Sequence, residues 1–235
     1  MFEKCRKQFS VIGLALLAAL LSSCSDESTS AETDSFDASV VCPAEGVNAY
    51  GEPNRGTFTD ARDGQLYKYT TIGNQVWMAE NLKFDAPYSL CYDKIEGFCD
   101  TFGRFYSLHV NGEDLGLFDQ ELLDTICPAG WHVPSIYEWQ TLSDVMGGGI
   151  NATIRLSSPE KYGVYYVSGT DDCKFNSLPV ESWLLDGSLG GDFNTAVYWT
   201  STTETLDFSY VYIIDRVGVR MGRNYPKHVI RCIKN

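Results

Sequence analysis

The sequence predicts an α+β fold with short helices and twisted antiparallel sheets. Short runs of β-branched and aromatic residues recur between turn residues, which is typical of strands. One segment carries the signals of a helix at both of its ends. Strands scattered around few helices indicate an α+β fold, and no internal repeat is present.

Residues 1–23 are predicted to be a lipoprotein signal peptide. Basic residues precede an apolar run from Phe9 to Leu21, which is too short to span a bilayer. The run ends in Leu21-Ser22-Ser23-Cys24, which resembles the bacterial lipobox, in which the cysteine is diacylated and becomes the mature N-terminus. Cys24 is therefore the expected lipidation site. The alternative is an ordinary cleaved secretory signal with an incidental cysteine.

Residues 24–56 are predicted to be a lipidated and mostly flexible acidic tether. Residues 25–39 contain five acids, no bases and one aromatic residue, so they bury too little apolar surface to offset the entropy of ordering. The opening Ser25-Asp26-Glu27 resembles the acidic surface-export signal of lipoproteins in Bacteroidetes-type bacteria. The alternative is a solvated spacer that carries no targeting signal.

The first predicted strands form a hairpin, and the clearest helix follows later. Residues 66–72 and 75–78 are strand-like and flank the turn Gly73-Asn74. Ser135 and Glu138 form a capping box. The apolar face that follows ends at the glycine run 147–149. Its residues are Ile136, Trp139, Leu142, Val145 and Met146.

A turn-rich stretch is predicted from about residue 150 to 195. Strands are expected again at residues 196–201, 209–215 and 228–233, where β-branched and aromatic residues return.

Charge excludes nucleic acid as an expected partner. The formal net charge is −13, and loss of the leader removes three bases and one acid. Phosphate binding depends on clustered Lys and Arg, and a polybasic patch would be needed to reinforce membrane attachment. The expected membrane contact is therefore through the N-terminal lipid alone.

Six cysteines remain after Cys5 and Cys24 are set aside, and an even number in an exported chain favours disulfides. None of the six has the close pairwise spacing of a zinc site, and the three histidines are scattered. Cys91 and Cys99 enclose a short loop and are expected to form a local bridge.

Ordered blocks from residue 63 onward resemble the Fibrobacter succinogenes major paralogous domain family, over roughly residues 57–235. Ser107-Leu108-His109 departs from the Thr-Trp-Ala that is more usual there. The blocks are residues 63–68 (Asp-Gly-Gln-Leu-Tyr-Lys), 72–82 (Ile-Gly-Asn-Gln-Val-Trp-Met-Ala-Glu-Asn-Leu), 103–106 (Gly-Arg-Phe-Tyr), 127–135 (Cys-Pro-Ala-Gly-Trp-His-Val-Pro-Ser), 138–139 (Glu-Trp), 175–179 (Phe-Asn-Ser-Leu-Pro), 198–202 (Tyr-Trp-Thr-Ser-Thr) and 230–232 (Ile-Arg-Cys).

The resemblance implies a single C-type-lectin-like domain, related to formylglycine-generating enzymes, and it implies no particular reaction. It also implies that Cys127 and Cys232 form the long-range bridge of lectin-like domains. Cys42 and Cys173 are then left, and their pairing follows only by elimination.

Ligand contacts are expected in the irregular stretch, where Trp183, Tyr165 and Tyr166 are candidates for exposed aromatic residues that stack on sugar rings. The other four tryptophans of the domain (Trp77, Trp131, Trp139 and Trp199) are expected in the core. His132 is expected to be a hydrogen-bonding structural residue rather than a catalytic base.

Calcium is the one cofactor that the fold analogy suggests, and oxygen ligands for it are available in the same stretch. They are Asp171, Asp172, Asp186, Asp192 and Asn194. The simpler alternative is that these residues form turns and that no cofactor binds.

No catalytic constellation or phosphate loop is apparent in the sequence. The predicted function is a lipid-anchored binding or adhesion domain of the bacterial cell envelope, on the outer membrane and displayed at the surface, with carbohydrate or another extracellular macromolecule as its partner. The alternatives are an enzyme on a formylglycine-generating-enzyme-like scaffold and a purely structural envelope protein.

Overall fold

A computed structural model describes residues 36–92, 94–112, 119–160, 168–180, 188–190, 195–205, 208–215, 218–223 and 227–235. All of these residues belong to the compact unit 34–235. Mixed helices and antiparallel strands confirm the α+β class.

The described residues form these elements in chain order: α1 (Ala38–Val41), β1 (Arg55–Thr59), β2 (Leu66–Ile72), β3 (Gln75–Met78), β4 (Ser89–Leu90), α2 (Phe98–Phe102), β5 (Phe105–Tyr106), α3 (Gln120–Thr125), β6 (Trp131–His132), α4 (Ile136–Val145), α5 (Gly149–Leu156), β7 (Ala196–Thr205), β8 (Phe208–Asp215), β9 (Gly218–Arg223) and β10 (Ile233–Lys234). None of the helices in these ranges is long and apolar enough to cross a membrane.

The main sheet has the strand order β1-β2-β3-β10-β6, and its neighbouring strands are antiparallel. The predicted hairpin is confirmed as β2 and β3. Gly73 in its turn has a φ of 57°, which glycine adopts without strain. The C-terminal β10 lies between β3 and β6, so the end of the chain closes the sheet.

Side chains that alternate along these strands contribute to two separate apolar clusters. Tyr67 and Tyr69 of β2 lie in one cluster, whereas Ile72 lies in the other. In β3, Val76 and Met78 likewise pack in the first cluster and Trp77 in the second. The main sheet therefore separates the two clusters, as the two-residue period of a strand requires.

Helix α4 forms as predicted, and both hydrogen bonds of the Ser135–Glu138 capping box are present. The prediction of turns from residue 150 is wrong for α5, which begins at Gly149. The buried residues Ala152 and Leu156 give this helix an apolar face. Its first residue, Gly149, is the last glycine of the run 147–149, so the run lies between the end of α4 and the start of α5.

A second sheet has the order β7-β8-β9. The predicted strands at 196–201 and 209–215 are confirmed and extended. Strand β9 escaped prediction because its sequence, Gly-Val-Arg-Met-Gly-Arg, contains two glycines and two charges. The strand expected at 228–233 is confined to β10, while His228 and Val229 make isolated bridges to Tyr106 and Tyr198.

Three disulfides form within the described residues: Cys42–Cys173, Cys91–Cys99 and Cys127–Cys232. Their Cα–Cα distances are 5.5, 5.7 and 6.0 Å. These are the pairs expected from elimination, from local spacing and from the family resemblance, respectively.

The predicted boundary at residue 57 needs correction, because residues 36–56 pack on the domain instead of belonging to a flexible tether. Cys42 is buried and bonded to Cys173. Asn48 and Asn54 are buried as well, and Asn54 N–H donates to Gly46 O. The acidic composition that suggested a tether ends at about residue 39, and the disulfide orders the chain that follows.

Candidate functional site

Several residues singled out in the sequence lie outside the described residues. They are Cys24, Tyr165, Tyr166, Trp183, Asp186, Asp192 and Asn194. The hypotheses that concern them stay predictions.

Asp171 and Asp172 are described, and each faces a cation of the protein. Asp171 is buried, accepts the N–H of Asn176 at 2.7 Å and lies 3.8 Å from Lys174 Nζ. Burial raises the pKa of Asp171. Asp172 lies 4.0 Å from Arg155 Nε. Across the described ranges no group of three or more His, Cys, Asp or Glu side chains could hold a metal ion, so these two residues alone do not form a calcium site.

The four tryptophans expected in the core are buried there. Trp139 stacks on Tyr212 with ring centroids 4.5 Å apart, and Trp77 lies 4.7 Å from Trp139. Trp131 stacks on Phe58 at 4.5 Å and keeps only 7% of its surface exposed.

His132 joins the start of α4 to the last residue of the chain. Its Nε2 lies 2.8 Å from Glu138 Oε1, and its Nδ1 lies 2.7 Å from Asn235 Oδ1. The other carboxylate oxygen of Glu138 closes the capping box. This arrangement fits the expected structural role of His132.

An exposed aromatic side chain, Tyr88, lies beside a cavity in the described part of the chain. We call this cavity the Tyr88 cleft; its volume is about 440 Å³ and its lining includes Phe84, Pro87, Tyr88 and Leu122, with Asp119 and Glu121. Tyr88 is 52% exposed. The cleft therefore combines an accessible ring face with carboxylate acceptors.

Tyr88 has a left-handed backbone, with a φ of 61°. Bulky residues rarely adopt this region, and such outliers persist where the surroundings enforce them, often at ligand sites. Here Arg104 braces the loop: Nη2 donates to Asp85 Oδ1 at 2.5 Å and Nε donates to Ser89 Oγ at 3.0 Å. Arg104 thus ties together the two sides of the loop that carries Tyr88.

A second cavity of about 480 Å³ lies next to the first, and we call it the Trp131 cleft. Its lining includes Phe58, Asp60, Asp124, Trp131 and Asn235. Thr125 at the end of α3 lines both clefts.

Arg62 forms the wall between the two clefts. It lines the Trp131 cleft, and its guanidinium carbon lies 3.9 Å above the Phe84 ring of the Tyr88 cleft. Nη1 donates to the carbonyls of Thr125 and Ile126, which end α3. A cation is favourable at a helix C-terminus.

The partner of Arg62 is the buried Asp60. Nε and Nη2 of Arg62 donate to its carboxylate at 2.7–3.1 Å. Burial acts to raise the pKa of Asp60, but the hydrogen bonds from Arg62 outweigh it and hold that pKa below its usual range. The wall therefore carries a fixed, ionised pair.

Comparison with known families decides where the chain belongs. The family described as the Fibrobacter succinogenes major domain matches residues 70–234. The chain belongs to this family. No curated protein and no solved structure matches the chain significantly.

The part matched by the Fibrobacter succinogenes major domain includes the Tyr88 cleft and α3, whereas Phe58, Asp60 and Arg62 precede it. Sequence reasoning missed Tyr88. The available signal was the Pro87-Tyr88 pair in a loop between two family blocks, but nothing in the sequence gives the backbone conformation that exposes the ring.

Proposed function

We propose that this chain is a lipid-anchored, non-catalytic binding protein of the bacterial cell envelope, whose domain binds an extracellular polysaccharide or a similar macromolecule across the Tyr88 and Trp131 clefts. The lipobox at Cys24 supports attachment to the membrane, in our proposal to the outer membrane with display at the surface. The C-type-lectin-like architecture implied by the family resemblance belongs to the same proposal.

The braced, exposed ring of Tyr88 carries the proposal. Sugar rings present C–H faces that stack on aromatic side chains, while their hydroxyls donate to carboxylates. Tyr88 offers the first kind of contact, and Asp119 and Glu121 offer the second. Because Arg104 holds the loop, little ordering entropy is lost when a ligand binds.

Two neighbouring clefts suit an extended ligand. Arg62 and Thr125 separate them by only the width of a shared wall, so one chain of sugar units would contact both. Their lining of carboxylates also disfavours nucleic acid as the occupant.

The state of the cysteines supports binding over oxidase chemistry on the same scaffold. All six cysteines within the described residues are in disulfides, so none there is a thiolate nucleophile. An enzyme of another class is the alternative that the experiment must address.

The test screens the full chain, purified in detergent, against a panel of neutral and acidic polysaccharides by affinity electrophoresis. Each mixture is also assayed for newly formed reducing ends. We expect retardation by at least one polysaccharide without release of reducing ends. Turnover of any polysaccharide, or retardation by none, would contradict the proposal.

A further inference from the structure

A third cavity, of about 350 Å³, is lined by an excess of cations. We call it the basic pocket, and its charged lining residues are Arg55, Lys68, Lys174, Glu80 and Asp171. Three cations against two acids is unusual in a chain with a formal net charge of −13.

The basic pocket shares no lining residue with the Trp131 cleft, although Tyr69, which lies 6.4 Å from Trp131, is part of its lining. Lys68 and Thr70 of β2 point away from the face of Tyr67 and Tyr69, because successive side chains alternate. Thr70 Oγ1 donates to Cys173 O at 2.6 Å, so this face meets the segment 171–176. The pocket is therefore separate from the proposed polysaccharide site.

Both acids of the basic pocket already have partners. Glu80 accepts the backbone N–H of Lys68 at 2.7 Å and the ammonium of Lys83 at 3.2 Å. Asp171 accepts the N–H of Asn176 and lies near Lys174 Nζ. Neither carboxylate makes an ion pair with Arg55 or Lys68 among the described residues, although the charge of Arg55 acts to lower the pKa of Asp171.

The remaining cations keep open donors. Arg55 Nη2 donates to Cys42 O at 3.0 Å, but Arg55 Nε is buried and has no hydrogen-bond partner in the described part of the chain. The ammonium of Lys68 makes no ion pair with any described residue. Arg55 Nε is closed to solvent, so the donors that a ligand in the cavity could reach are the ammonium groups and the rest of the guanidinium.

The pocket wall is also preformed. Asp171, Lys174 and Asn176 all have left-handed backbones, with φ of 47°, 58° and 54°. The Cys42–Cys173 bridge fixes this segment, and Cys42 is also the residue that holds Arg55. One disulfide thus positions cations on both sides of the cavity.

We propose that the basic pocket binds a single oxyanion group, a carboxylate or a sulfate, carried by an acidic sugar. A guanidinium and ammonium groups at one small cavity match the charge and the acceptors of such a group. The pocket is too confined to neutralise a run of phosphates, so the same features do not indicate nucleic acid.

Isothermal titration calorimetry of the full chain in detergent tests this inference. The probes are three trisaccharides of matched length: galacturonate, sulfated galactose and neutral galactose. We expect saturable binding of the galacturonate or the sulfated probe and none of the neutral one. Equal binding of all three, or binding of none, overturns the proposal.

The deciding variant is Lys68→Gln/Lys174→Gln, because both side chains are exposed and glutamine removes their charge while staying polar. We expect affinity for the anionic probe to fall by at least about tenfold, since hydrogen bonds to charged groups are among the stronger ones. Lys94→Gln removes a matched exposed lysine outside the pocket and should change nothing.

Unchanged affinity in the double variant would overturn the proposal. Tyr88→Ala distinguishes this site from the polysaccharide clefts, because it should leave binding of the anionic trisaccharide intact.

Discussion

At the scale of single residues, the buried Arg231 joins elements that are far apart in sequence. Its side chain is fully buried, and Nε and Nη2 donate to Asn81 Oδ1 at 3.0 and 2.5 Å. Nη1 donates to Phe175 O, and the guanidinium lies 4.5 Å from the Phe175 ring centroid. A planar group with several donors is needed to reach all these acceptors.

Replacing Arg231→Met should lower the free energy of unfolding by roughly 3–5 kcal/mol, because the buried acceptors at Asn81 and Phe175 lose their donor. Urea unfolding at equilibrium measures this loss. Arg231→Lys should recover part of it, and Lys94→Met at an exposed position should change stability little. A loss below about 1 kcal/mol in Arg231→Met would show that the network is not structural.

His132 and Glu138 give the fold a defined pH dependence. The hydrogen bond that His132 donates to the Glu138 carboxylate raises the pKa of His132 above its ordinary value of 6.5. Burial pushes the pKa of Glu138 upward, but hydrogen bonds from His132 and Ser135 outweigh it, so that pKa falls below 4.5. The contribution of His132 to folding stability is complete below pH 6.5. It is lost as the pH rises through the raised pKa of His132. The contribution of Glu138 to folding stability is complete above pH 4.5. It is lost as the pH falls through the lowered pKa of Glu138.

We therefore expect His132→Gln to cost more stability at about pH 5.5 than at about pH 8.5. Urea unfolding of the wild type and the variant at both pH values provides the comparison. In a Glu138→Gln background the difference between the two pH values should shrink, with only the smaller effect of Asn235 still raising the pKa of His132. The same cost at both pH values would refute the coupling.

At the scale of elements, α4 depends on its N-terminal cap. Ser135→Ala removes the acceptor for Glu138 N–H and should cost about 1 kcal/mol, measured by urea unfolding. Thr141→Ala is the matched control, because its exposed hydroxyl bonds only within the same helix, to Tyr137 O. Equal losses in the two variants would mean that the cap contributes nothing specific.

Elements whose signals are local could be predicted, and those fixed by distant contacts could not. The capping box and the Gly73-Asn74 turn identify α4 and the β2–β3 hairpin from a few adjacent residues. Strand β9 depends on pairing with β8, and the order of residues 36–56 depends on a bridge to Cys173. The Tyr88 cleft escaped prediction for the same reason, because Arg104 and α3 build it from separate parts of the chain.

At the scale of the whole molecule, two long-range disulfides fasten the beginning and the end of the domain. Cys42–Cys173 spans 131 residues and Cys127–Cys232 spans 105, whereas Cys91–Cys99 spans 8. Cross-links restrict the unfolded chain more when they close longer loops.

Replacing both cysteines of Cys127–Cys232 by serine should cost about 5 kcal/mol, against about 2.5 kcal/mol for Cys91–Cys99, if loop entropy dominates. Thermal unfolding of the two double variants shows which of them loses more stability. A larger loss for the short bridge would contradict the entropic account.

The most direct test of the central claim is to titrate the full chain with the polysaccharide that retards it most, comparing the wild type with Tyr88→Ala and Tyr137→Ala. Tyr137 is the matched control, because it is 77% exposed on α4 and lines neither cleft. Tyr88→Gly, which relieves the left-handed backbone, should bind as weakly as Tyr88→Ala without loss of stability. We predict that affinity falls about tenfold in the Tyr88 variants, the upper range for an aromatic contact, and is unchanged in Tyr137→Ala. Wild-type affinity in Tyr88→Ala would contradict the account.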